Sequence, residues 1–354
     1  MSRVAAVGSA LGPYRYPQEQ ITAALADFVT PDPGSRALLQ RFHTAAGVRT
    51  RHLALPLEAY AGLSGFTEAN DAFIRVGVDL GEQAVNEALA ACGLGPRDID
   101  VLMTTTVTGV AAPSLDARLV PRLGLRADVK RLPLFGLGCV AGAAGIGRLD
   151  DYLVGHPDEV AVLLAVELCS LTVQRDDAST ANLVASGLFG DGAAAVVMVG
   201  ERRAQALELV SPQVVASRSK FYPDTERVMG WDVGGTGFRI VLAASVADVV
   251  EEHLALDVKA FLAEHDLEIP DVAYWVSHPG GPKVLDAVRR ALSLPDDALE
   301  RSWRSLAAHG NLSSASVLHV LRDTLAEHPP GSAEPAVAMA MGPGFCSELV
   351  LLRW

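Results

Sequence analysis

Apolar and polar positions along the chain follow two spacings, one typical of helices and one typical of buried strands. Residues 71–93 carry apolar side chains at helical spacing and end at a glycine, which predicts a helix with a glycine at its end. The β-prone runs at 100–107 and 159–168 predict buried strands. In the second half, residues 245–265 predict a helix and residues 272–278 a strand. This order of elements predicts a mixed α/β chain.

Each half of the chain contains a glycine-rich turn followed by an apolar strand. FGDGAAAVVMVG occupies residues 189–200, and MGPGFCSELVLL occupies residues 341–352. The repetition predicts an internal duplication, which we divide into residues 1–210 and 211–354. Because no low-complexity segment or long linker separates the halves, we expect one compact body.

Composition places the chain among compact globular enzymes and narrows its partners. The 354 residues are 50% hydrophobic and 20% charged, a balance typical of a protein with much buried surface. No stretch reaches the roughly 18 consecutive apolar residues that span a bilayer, and glycine and proline interrupt the N-terminus, so neither a membrane span nor a signal peptide is expected. The formal net charge of −13 argues against a nucleic-acid partner but leaves a small anionic substrate open.

The cysteines show no metal-binding or disulfide pattern. Cys92, Cys139, Cys169 and Cys346 are scattered without CxxC spacing, so neither a zinc site nor a disulfide framework is indicated. No ligand cluster and no GxGxxG after a strand are present, and we expect no metal, flavin or nicotinamide cofactor. A cytoplasmic location is the simplest expectation for such a chain.

Cys139 lies in an unusual setting, between glycines and ahead of a run of alanine and glycine. The glycine corner 136–138 followed by the small-residue helix 140–147 places Cys139 at a helix N-terminus, where backbone N–H groups and the helix dipole favour a thiolate. The pattern predicts a nucleophile. The alternative is a buried, inert cysteine in a closely packed helix.

His278 differs from the other histidines because it ends an apolar strand and precedes the loop PGGP. Polar residues at the carboxyl end of a buried strand commonly face a site, so His278 is a candidate proton carrier for Cys139. The alternative is a polar strand end that hydrogen-bonds only to backbone.

Asn311 lies just ahead of the predicted helix in HGNLSSASVL and has two possible roles. Its side-chain oxygen suits an N-cap, and its amide could serve a site formed with Cys139 and His278. Cys, His and Asn each stand at an element boundary, which favours the second role.

Several stretches, in order over most of the chain, resemble the type III polyketide synthases, the chalcone-synthase-like family of the thiolase superfamily. They are GLGCVAGAAG, GLFGDGAAA, SHPGGPKVLDAV, HGNLSSASVL and the C-terminal MGPG. The resemblance implies an α/β thiolase fold of two similar halves in a five-layered αβαβα core, and a homodimer. Residues 1–210 would be the half that carries the nucleophile, and residues 211–354 the half that carries His278 and Asn311.

The resemblance also implies a chemistry for the three candidate residues. Cys139 would accept an acyl group from an acyl-CoA, with His278 maintaining its thiolate and Asn311 assisting His278. Malonyl-CoA would then lose carbon dioxide, and the resulting carbanion would attack the Cys139 thioester in a Claisen condensation. Repeated extension and ring closure by aldol reaction or lactonisation would complete the polyketide.

Further residues match the family's substrate pocket. Phe189 and Phe238 correspond to its two gatekeeper phenylalanines, for which core packing is the alternative. Cys169 stands where plant enzymes carry a pocket-floor threonine, with Thr172 three residues later. Ala112 replaces a bulky methionine that reaches across the plant dimer. Met341 replaces the phenylalanine of the family's GFGPG tail and leaves the mode of ring closure open.

The anionic CoA substrates predict basic residues at the tunnel mouth. The candidates are Arg41, Arg49, Arg51 and Lys283, each of which could instead be a solvated surface charge.

Small pocket residues favour a fatty acyl-CoA starter and a resorcinol or pyrone product, as in bacterial alkylresorcinol and alkylpyrone synthases. One alternative is a malonyl-CoA-primed synthase of a tetrahydroxynaphthalene-type product. Another is an enzyme like the ketoacyl-acyl-carrier-protein synthases III, whose basic carrier-binding patch is not evident in this acidic chain. A non-enzymatic scaffold would require loss of one of the three candidate residues, and all three are present.

Overall fold

The computed structural model describes residues 1–29, 33–175, 177–327 and 333–354. The strands are β1 Arg3–Leu11, β2 Tyr14–Pro17, β3 Thr50–Leu53, β4 Val101–Thr106, β5 Lys130–Phe135, β6 Val160–Leu168, β7 Asp191–Val199, β8 Gln213–Phe221, β9 Met229–Gly234, β10 Gly237–Leu242, β11 Tyr274–Ser277, β12 Pro335–Gly342 and β13 Cys346–Arg353.

The helices alternate with these strands along the chain. They are α1 Gln18–Val29, α2 Pro33–Ala45, α3 Leu57–Tyr60, α4 Phe66–Cys92, α5 Leu115–Leu123, α6 Ala141–Gly155, α7 Thr180–Leu188, α8 Glu201–Ala206, α9 Val246–Ala263, α10 Pro282–Leu292, α11 Glu300–His309 and α12 Ser314–Glu327.

Nine strands form one mixed sheet with the order β11-β12-β13-β8-β1-β7-β6-β4-β5. The first-half strands β1, β7, β6, β4 and β5 are adjacent, and so are the second-half strands β11, β12, β13 and β8. β1 meets β8 through the pair Arg3 and Gln213, so the two groups are continuous at this point. β2 and β3 pair separately, and β9 and β10 form a hairpin.

Two-residue alternation along the buried strands places helices on both faces of each group of strands. In β6, Val162 packs in the apolar core that contains α4 and α5, and the next residue, Leu163, packs in the core that contains α6 and α12. In β12, Ala338 faces that same α6 and α12 core, and Met339 faces the core of α9 and α10. Helix pairs and strand groups therefore stack in five αβαβα layers, the predicted thiolase fold.

Close packing of the two central helices explains the run of alanine and glycine after Cys139. A Cβ at Gly142 in α6 would overlap the backbone carbonyl oxygen of Ser314 at the start of α12. Only a residue without a side chain allows this approach. The contact holds the segment of Cys139 against the segment of Asn311.

Most predicted elements are confirmed, with shifted boundaries. The helix predicted at 71–93 is α4 and begins earlier, at Phe66, and the predicted strands at 100–107 and 159–168 are β4 and β6. The helix predicted to follow Asn311 begins at Ser314. The elements β1, β9, β10 and α11 were not predicted. The division of the chain at residue 210 stays a prediction.

Candidate active site

Cys139 lies in the 3₁₀ turn Gly138–Val140 that leads directly into α6, as predicted for a residue at a helix N-terminus. Gly138 has a φ of 57°, and a Cβ there would lie 2.6 Å from the ring of Pro343, so this position requires glycine. The cysteine is buried, and its Sγ lies 3.7 Å from the hydroxyl oxygen of Ser313.

Burial makes the Cys139 sulfur a weak acid. Burial raises the pKa of Cys139 to about 12, and the neighbouring Glu167 acts in the same direction. Hydrogen bonds with Ser313 and Asn311 lower that pKa but do not compensate for burial. Burial thus acts against the thiolate that the helix N-terminus favours, and the thiolate stays a prediction.

His278 follows β11 directly and is buried. Its backbone N–H donates to the Met339 carbonyl of β12 at 2.9 Å. Within the described part of the chain, neither ring nitrogen has a hydrogen-bond partner. Burial lowers the pKa of His278 to about 3, so the ring is neutral and can accept a proton at one nitrogen while it donates from the other.

Asn311 combines the two roles considered from the sequence. Its Oδ1 accepts the backbone N–H of Ser313 at 2.8 Å, just before α12. Its Nδ2 donates to the carbonyl of Gly280 at 3.4 Å, in the loop that follows His278, and the amide also lowers the pKa of Cys139. Asn311 therefore joins the loop after His278 to the surroundings of the Cys139 sulfur.

Two polar residues of this site were missed in the sequence. Ser313 adopts a left-handed backbone with a φ of 47°, a strained conformation that is typical of functional sites. Glu167 is fully buried in β6, where Ser314 Oγ, Thr108 Oγ1 and the Val107 N–H donate to its carboxylate. Burial raises the pKa of Glu167. A lone charged residue in the apolar run VAVLLAVEL was a signal that could have identified it.

The two predicted gatekeeper phenylalanines lie in different surroundings. Phe189 follows α7, is partly buried, and pairs with Asn311 in an isolated parallel bridge. Phe238 opens β10, is buried, and its ring contacts Phe66 at a centroid distance of 5.5 Å in an edge-on arrangement. Phe189 therefore borders the candidate catalytic residues directly through its backbone.

The predicted floor residues lie in the 3₁₀ turn Cys169–Thr172 that follows β6. Cys169 is buried, which raises its pKa, and Cys139 acts in the same direction, so the two sulfurs belong to one neighbourhood. Thr172 is also buried, and its hydroxyl donates to the Cys169 carbonyl at 2.8 Å.

Two other predicted pocket residues lie elsewhere. Met341 packs in the apolar core between β12 and the helices α9 and α10. Ala112 is exposed in the loop before α5. For Met341 the pocket-lining prediction is wrong: in β12 it follows Met339 by two residues and faces the same outer core.

A cavity of about 220 Å³ adjoins the turn of Cys139. Its wall includes Gly136 and Pro343, on either side of that turn, together with Phe135, Met229 and Trp231. Its volume is below the roughly 300–1,000 Å³ that pockets for drug-sized molecules commonly measure.

Three of the four cations predicted to bind CoA are exposed, and the fourth is buried. Arg41, Arg49 and Lys283 are exposed, and Gly47 lies beside Pro282, which brings the segment of Arg49 close to that of Lys283. Arg51, by contrast, is only 2% exposed. The prediction that Arg51 borders the tunnel mouth is wrong, because it alternates with Thr50 along β3 and shares the inward face of Leu53.

The described part of the chain shows neither a metal-binding cluster nor a membrane-spanning helix. In residues 1–29, 33–175, 177–327 and 333–354, no group of three or more His, Cys, Asp or Glu is arranged to hold a metal ion. In those same ranges no helix is long and apolar enough to cross a membrane.

The site therefore provides a buried cysteine sulfur, a neutral imidazole and a primary amide, with a cavity beside the turn of Cys139. A thiol can accept an acyl group, an imidazole can carry its proton, and an N–H donor can stabilise an oxyanion in a dry environment. With the five-layered fold, this set defines a condensing enzyme of the thiolase superfamily.

Comparison with known proteins identifies the family of the chain. Residues 76–215 match the family described as FAE1/type III polyketide synthase-like protein, and residues 213–354 match the C-terminal domain of chalcone and stilbene synthases. The chain belongs to the type III polyketide synthases, which are acyl-transferring condensing enzymes.

Individual relatives cover nearly the whole chain. The chain is 59% identical to the 1,3,6,8-tetrahydroxynaphthalene synthase of Streptomyces peucetius subsp. caesius, over 99% of this chain and 93% of that protein. It is 35% identical to a putative chalcone synthase of Bacillus subtilis, over 87% and 86% of the two chains. The crystal structure of 1,3,6,8-tetrahydroxynaphthalene synthase from Streptomyces coelicolor A3(2) superimposes with a TM-score of 0.92, at 30% identity and 99% coverage of both chains.

Proposed function

We propose that the chain is a malonyl-CoA-primed type III polyketide synthase that makes a tetrahydroxynaphthalene-type product. The observation that carries this proposal is the 59% identity, over 99% of the chain, to a protein named as a 1,3,6,8-tetrahydroxynaphthalene synthase. A naphthalene skeleton can be built entirely from the two-carbon units of malonyl-CoA. The cavity of about 220 Å³ supports the proposal, because a short starter leaves the space to the growing chain.

In the loading step, Cys139 attacks the thioester of the starter. Because burial makes Cys139 a weak acid and keeps His278 neutral, the thiol proton passes to His278 as the carbon–sulfur bond forms. The tetrahedral intermediate then expels CoA, whose sulfur takes the proton from His278. The products are an acyl group on Cys139, free CoA and a neutral imidazole.

In the extension step, malonyl-CoA loses carbon dioxide and becomes an enolate. The Nδ2 amide of Asn311 and the N–H of neutral His278 donate hydrogen bonds to the enolate oxygen. The enolate carbon attacks the acyl group on Cys139 and displaces the thiolate. A neutral imidazole suits this step, because it offers a donor without a charge that would have to be desolvated.

We also propose that the exposed cations near Gly281 hold the phosphates of CoA. Arg41, Arg49 and Lys283 offer positive charge on an otherwise acidic chain, and none of them is buried. Charge reversal at Arg49 is expected to raise KM for malonyl-CoA with little change in kcat.

A homodimer is the assembly that we propose for the active protein. β5 lies at one end of the sheet, and its Phe135 is 53% exposed, next to exposed Leu132 and, in the loop before α5, Val110. An unpaired edge strand with apolar side chains favours pairing with a second copy. Light scattering after size exclusion should give twice the chain mass, and Phe135→Asp should give the monomer.

The experiment that tests the reaction is product analysis by mass spectrometry. Purified protein is incubated with malonyl-CoA alone, and separately with malonyl-CoA plus acyl-CoAs from acetyl to long-chain, beside Cys139→Ala. An aromatic product from malonyl-CoA alone, absent with Cys139→Ala, supports the proposal. Resorcinols or pyrones that form only with an added acyl-CoA would instead support the fatty acyl-primed reading.

A further inference from the structure

Arg51 is a buried cation beside the candidate active site, and the proposed reaction gives it no part. Its Nη1 donates to the Phe189 carbonyl at 2.7 Å, and its Nε donates to Gln18 Oε1 at 2.9 Å. Burial lowers the pKa of Arg51 to about 10, against the opposing charge of Asp191. Among the described residues, Nη2 has no hydrogen-bond partner.

The Phe189 carbonyl belongs to the segment that holds the backbone of Asn311. The Asn311 N–H donates to the Leu188 carbonyl at 2.8 Å, and the Asn311 carbonyl accepts from the Gly190 N–H at 3.0 Å. These two bonds flank Phe189, where Arg51 attaches. A shift of Phe189 therefore moves the backbone of Asn311.

Arg51 also packs directly against the residue before Asn311. A Cβ at Gly310 would lie 3.2 Å from the Cδ of Arg51 and 2.6 Å from the Leu188 carbonyl oxygen. Gly310 has a φ of 74°, which favours glycine, so its backbone is fixed by conformation as well as by contact. Arg51 thus supports Asn311 from two sides, through Phe189 and through Gly310.

The charge of Arg51 is balanced by groups that are themselves fixed. Asp191 accepts the backbone N–H of Ala54 at 2.6 Å and that of Ser170 at 2.8 Å, so it cannot easily follow a movement of the guanidinium. Asp191 acts on Arg51 as a nearby buried charge, and removing one of two buried opposite charges leaves the other uncompensated. The guanidinium is rigid and presents a fork of donors, so it is better suited to fixing the positions of neighbouring groups than to stabilising the fold.

We propose that Arg51 is a positioning residue that fixes the direction of the Asn311 amide toward the Cys139 sulfur and the enolate. The inference rests on the proposed role of Asn311, and it assigns to Arg51 a function that is not CoA binding. Loss of Arg51 should impair decarboxylation and the acidity of Cys139 together, because Asn311 acts on both.

The test compares Arg51→Met, Arg51→Lys and the exposed-site control Arg49→Met. Release of carbon dioxide from malonyl-CoA gives kcat and KM. The rate of Cys139 alkylation by iodoacetamide between pH 7 and 10, where it rises with the thiolate fraction below a pKa of about 12, gives the reactivity profile. Thermal melting reports folding. Methionine keeps the length and volume of the arginine stem without donors, and lysine keeps the charge with one attachment point.

We expect Arg51→Met to lower kcat by about ten- to a hundredfold with little change in KM, since small misplacements of a catalytic group have effects of this size. The alkylation profile should move to higher pH. The melting temperature should also fall, because Asp191 loses its opposite charge, but kcat measured well below that temperature should fall further than unfolding explains. Arg51→Lys should recover part of kcat, and Arg49→Met should change KM instead.

An unchanged kcat and alkylation profile in Arg51→Met would overturn the inference, and so would losses that only follow a lower melting temperature. If Arg51→Met does not fold, Arg51→Lys decides, because lysine keeps only one of the two attachments and a wild-type kcat and alkylation profile would then exclude the positioning role. The alkylation readout does not depend on which product forms. Failure of the inference is therefore distinguishable from failure of the proposed starter, which the product analysis reports.

Discussion

The hydroxyl oxygen of Ser313 lies 3.7 Å from the sulfur of Cys139 and lowers the pKa of that thiol. Ser313 can do so because Asn311 Oδ1 holds its backbone N–H and the chain accepts a φ of 47° there. On the other side, the buried Glu167 raises the pKa of the same thiol. Burial has the largest effect on the acidity of Cys139, and these two neighbours, 146 residues apart in the chain, act on it in opposite directions.

Ser313→Ala should make Cys139 less acidic. Removing the hydroxyl leaves the thiolate without this hydrogen bond, so the pH–rate profile of iodoacetamide alkylation, and with it the extrapolated midpoint, should move up by up to about one pH unit. Ser305→Ala is a matched control, because Ser305 is buried and its hydroxyl has no partner among the described residues. Equal midpoints in the two variants would contradict the role of Ser313.

Glu167→Gln should move the same profile in the opposite direction. The amide keeps the volume of the carboxylate and removes the negative charge that raises the pKa of Cys139. The alkylation midpoint should therefore fall below that of the wild type. Glu167→Ala, by contrast, leaves buried donors from Ser314, Thr108 and Val107 unsatisfied and should destabilise the fold by roughly 3–5 kcal/mol in urea titrations.

Gly142→Ala should damage the contact between α6 and α12. The added methyl group overlaps the Ser314 carbonyl, and we expect a loss of about 1–3 kcal/mol in free energy of unfolding. Gly155→Ala is the matched control, because it lies in the same helix with no atom within 4 Å of the added Cβ. A cost of equal size at Gly155 would attribute the effect to the helix rather than to the contact.

Acidification should destabilise the fold. Burial lowers the pKa of His43, His278 and His319 to about 3, and that of His309 to about 4, from 6.5 in the unfolded chain. Below pH 6.5 the unfolded state binds more protons than the native state, so stability falls as pH falls toward those values.

The size of this effect can be measured by urea unfolding at pH 7.5 and pH 5. Each histidine that stays neutral in the native state should cost roughly 2 kcal/mol at pH 5. Burial raises the pKa of Asp191 to about 6, which acts in the opposite direction, since stability then falls as pH rises from 3.8 to 6. One aspartate does not offset four histidines, and equal stability at the two pH values would contradict the prediction.

How much the sequence predicted depends on whether a local signal existed. The apolar spacing in residues 71–93 identified α4, but its first turn, FTEAND, is mostly polar and gave no periodicity to mark the start at Phe66. The hairpin of β9 and β10 is rich in glycine and half exposed, so its apolar residues follow neither the helical spacing nor the alternation of a buried strand. A strong periodicity of apolar residues arises only where one face of a helix or strand packs against a core.

The residues of the candidate site also differ in whether a local sequence signal identifies them. Cys139, His278 and Asn311 stand at element boundaries next to glycine, which is visible in the sequence. Ser313 acts through the contact of α12 with the turn of Cys139, and such a contact depends on tertiary packing. Arg51 was assigned to the surface because of its charge, although its alternation with Thr50 along β3 placed it on the inward side.

The size of the cavity beside Cys139 should decide which products form. Met229 lines this space of about 220 Å³ opposite the glycine corner, and its unbranched side chain can be shortened without removing a buried polar group. Met229→Ala should enlarge the cavity and admit longer acyl-CoA starters, which would appear as new pyrones or resorcinols in the mass spectrum. Met229→Leu conserves the volume and should keep the wild-type products. If the alanine variant makes only the wild-type product with every starter, the cavity does not limit the length of the acyl chain.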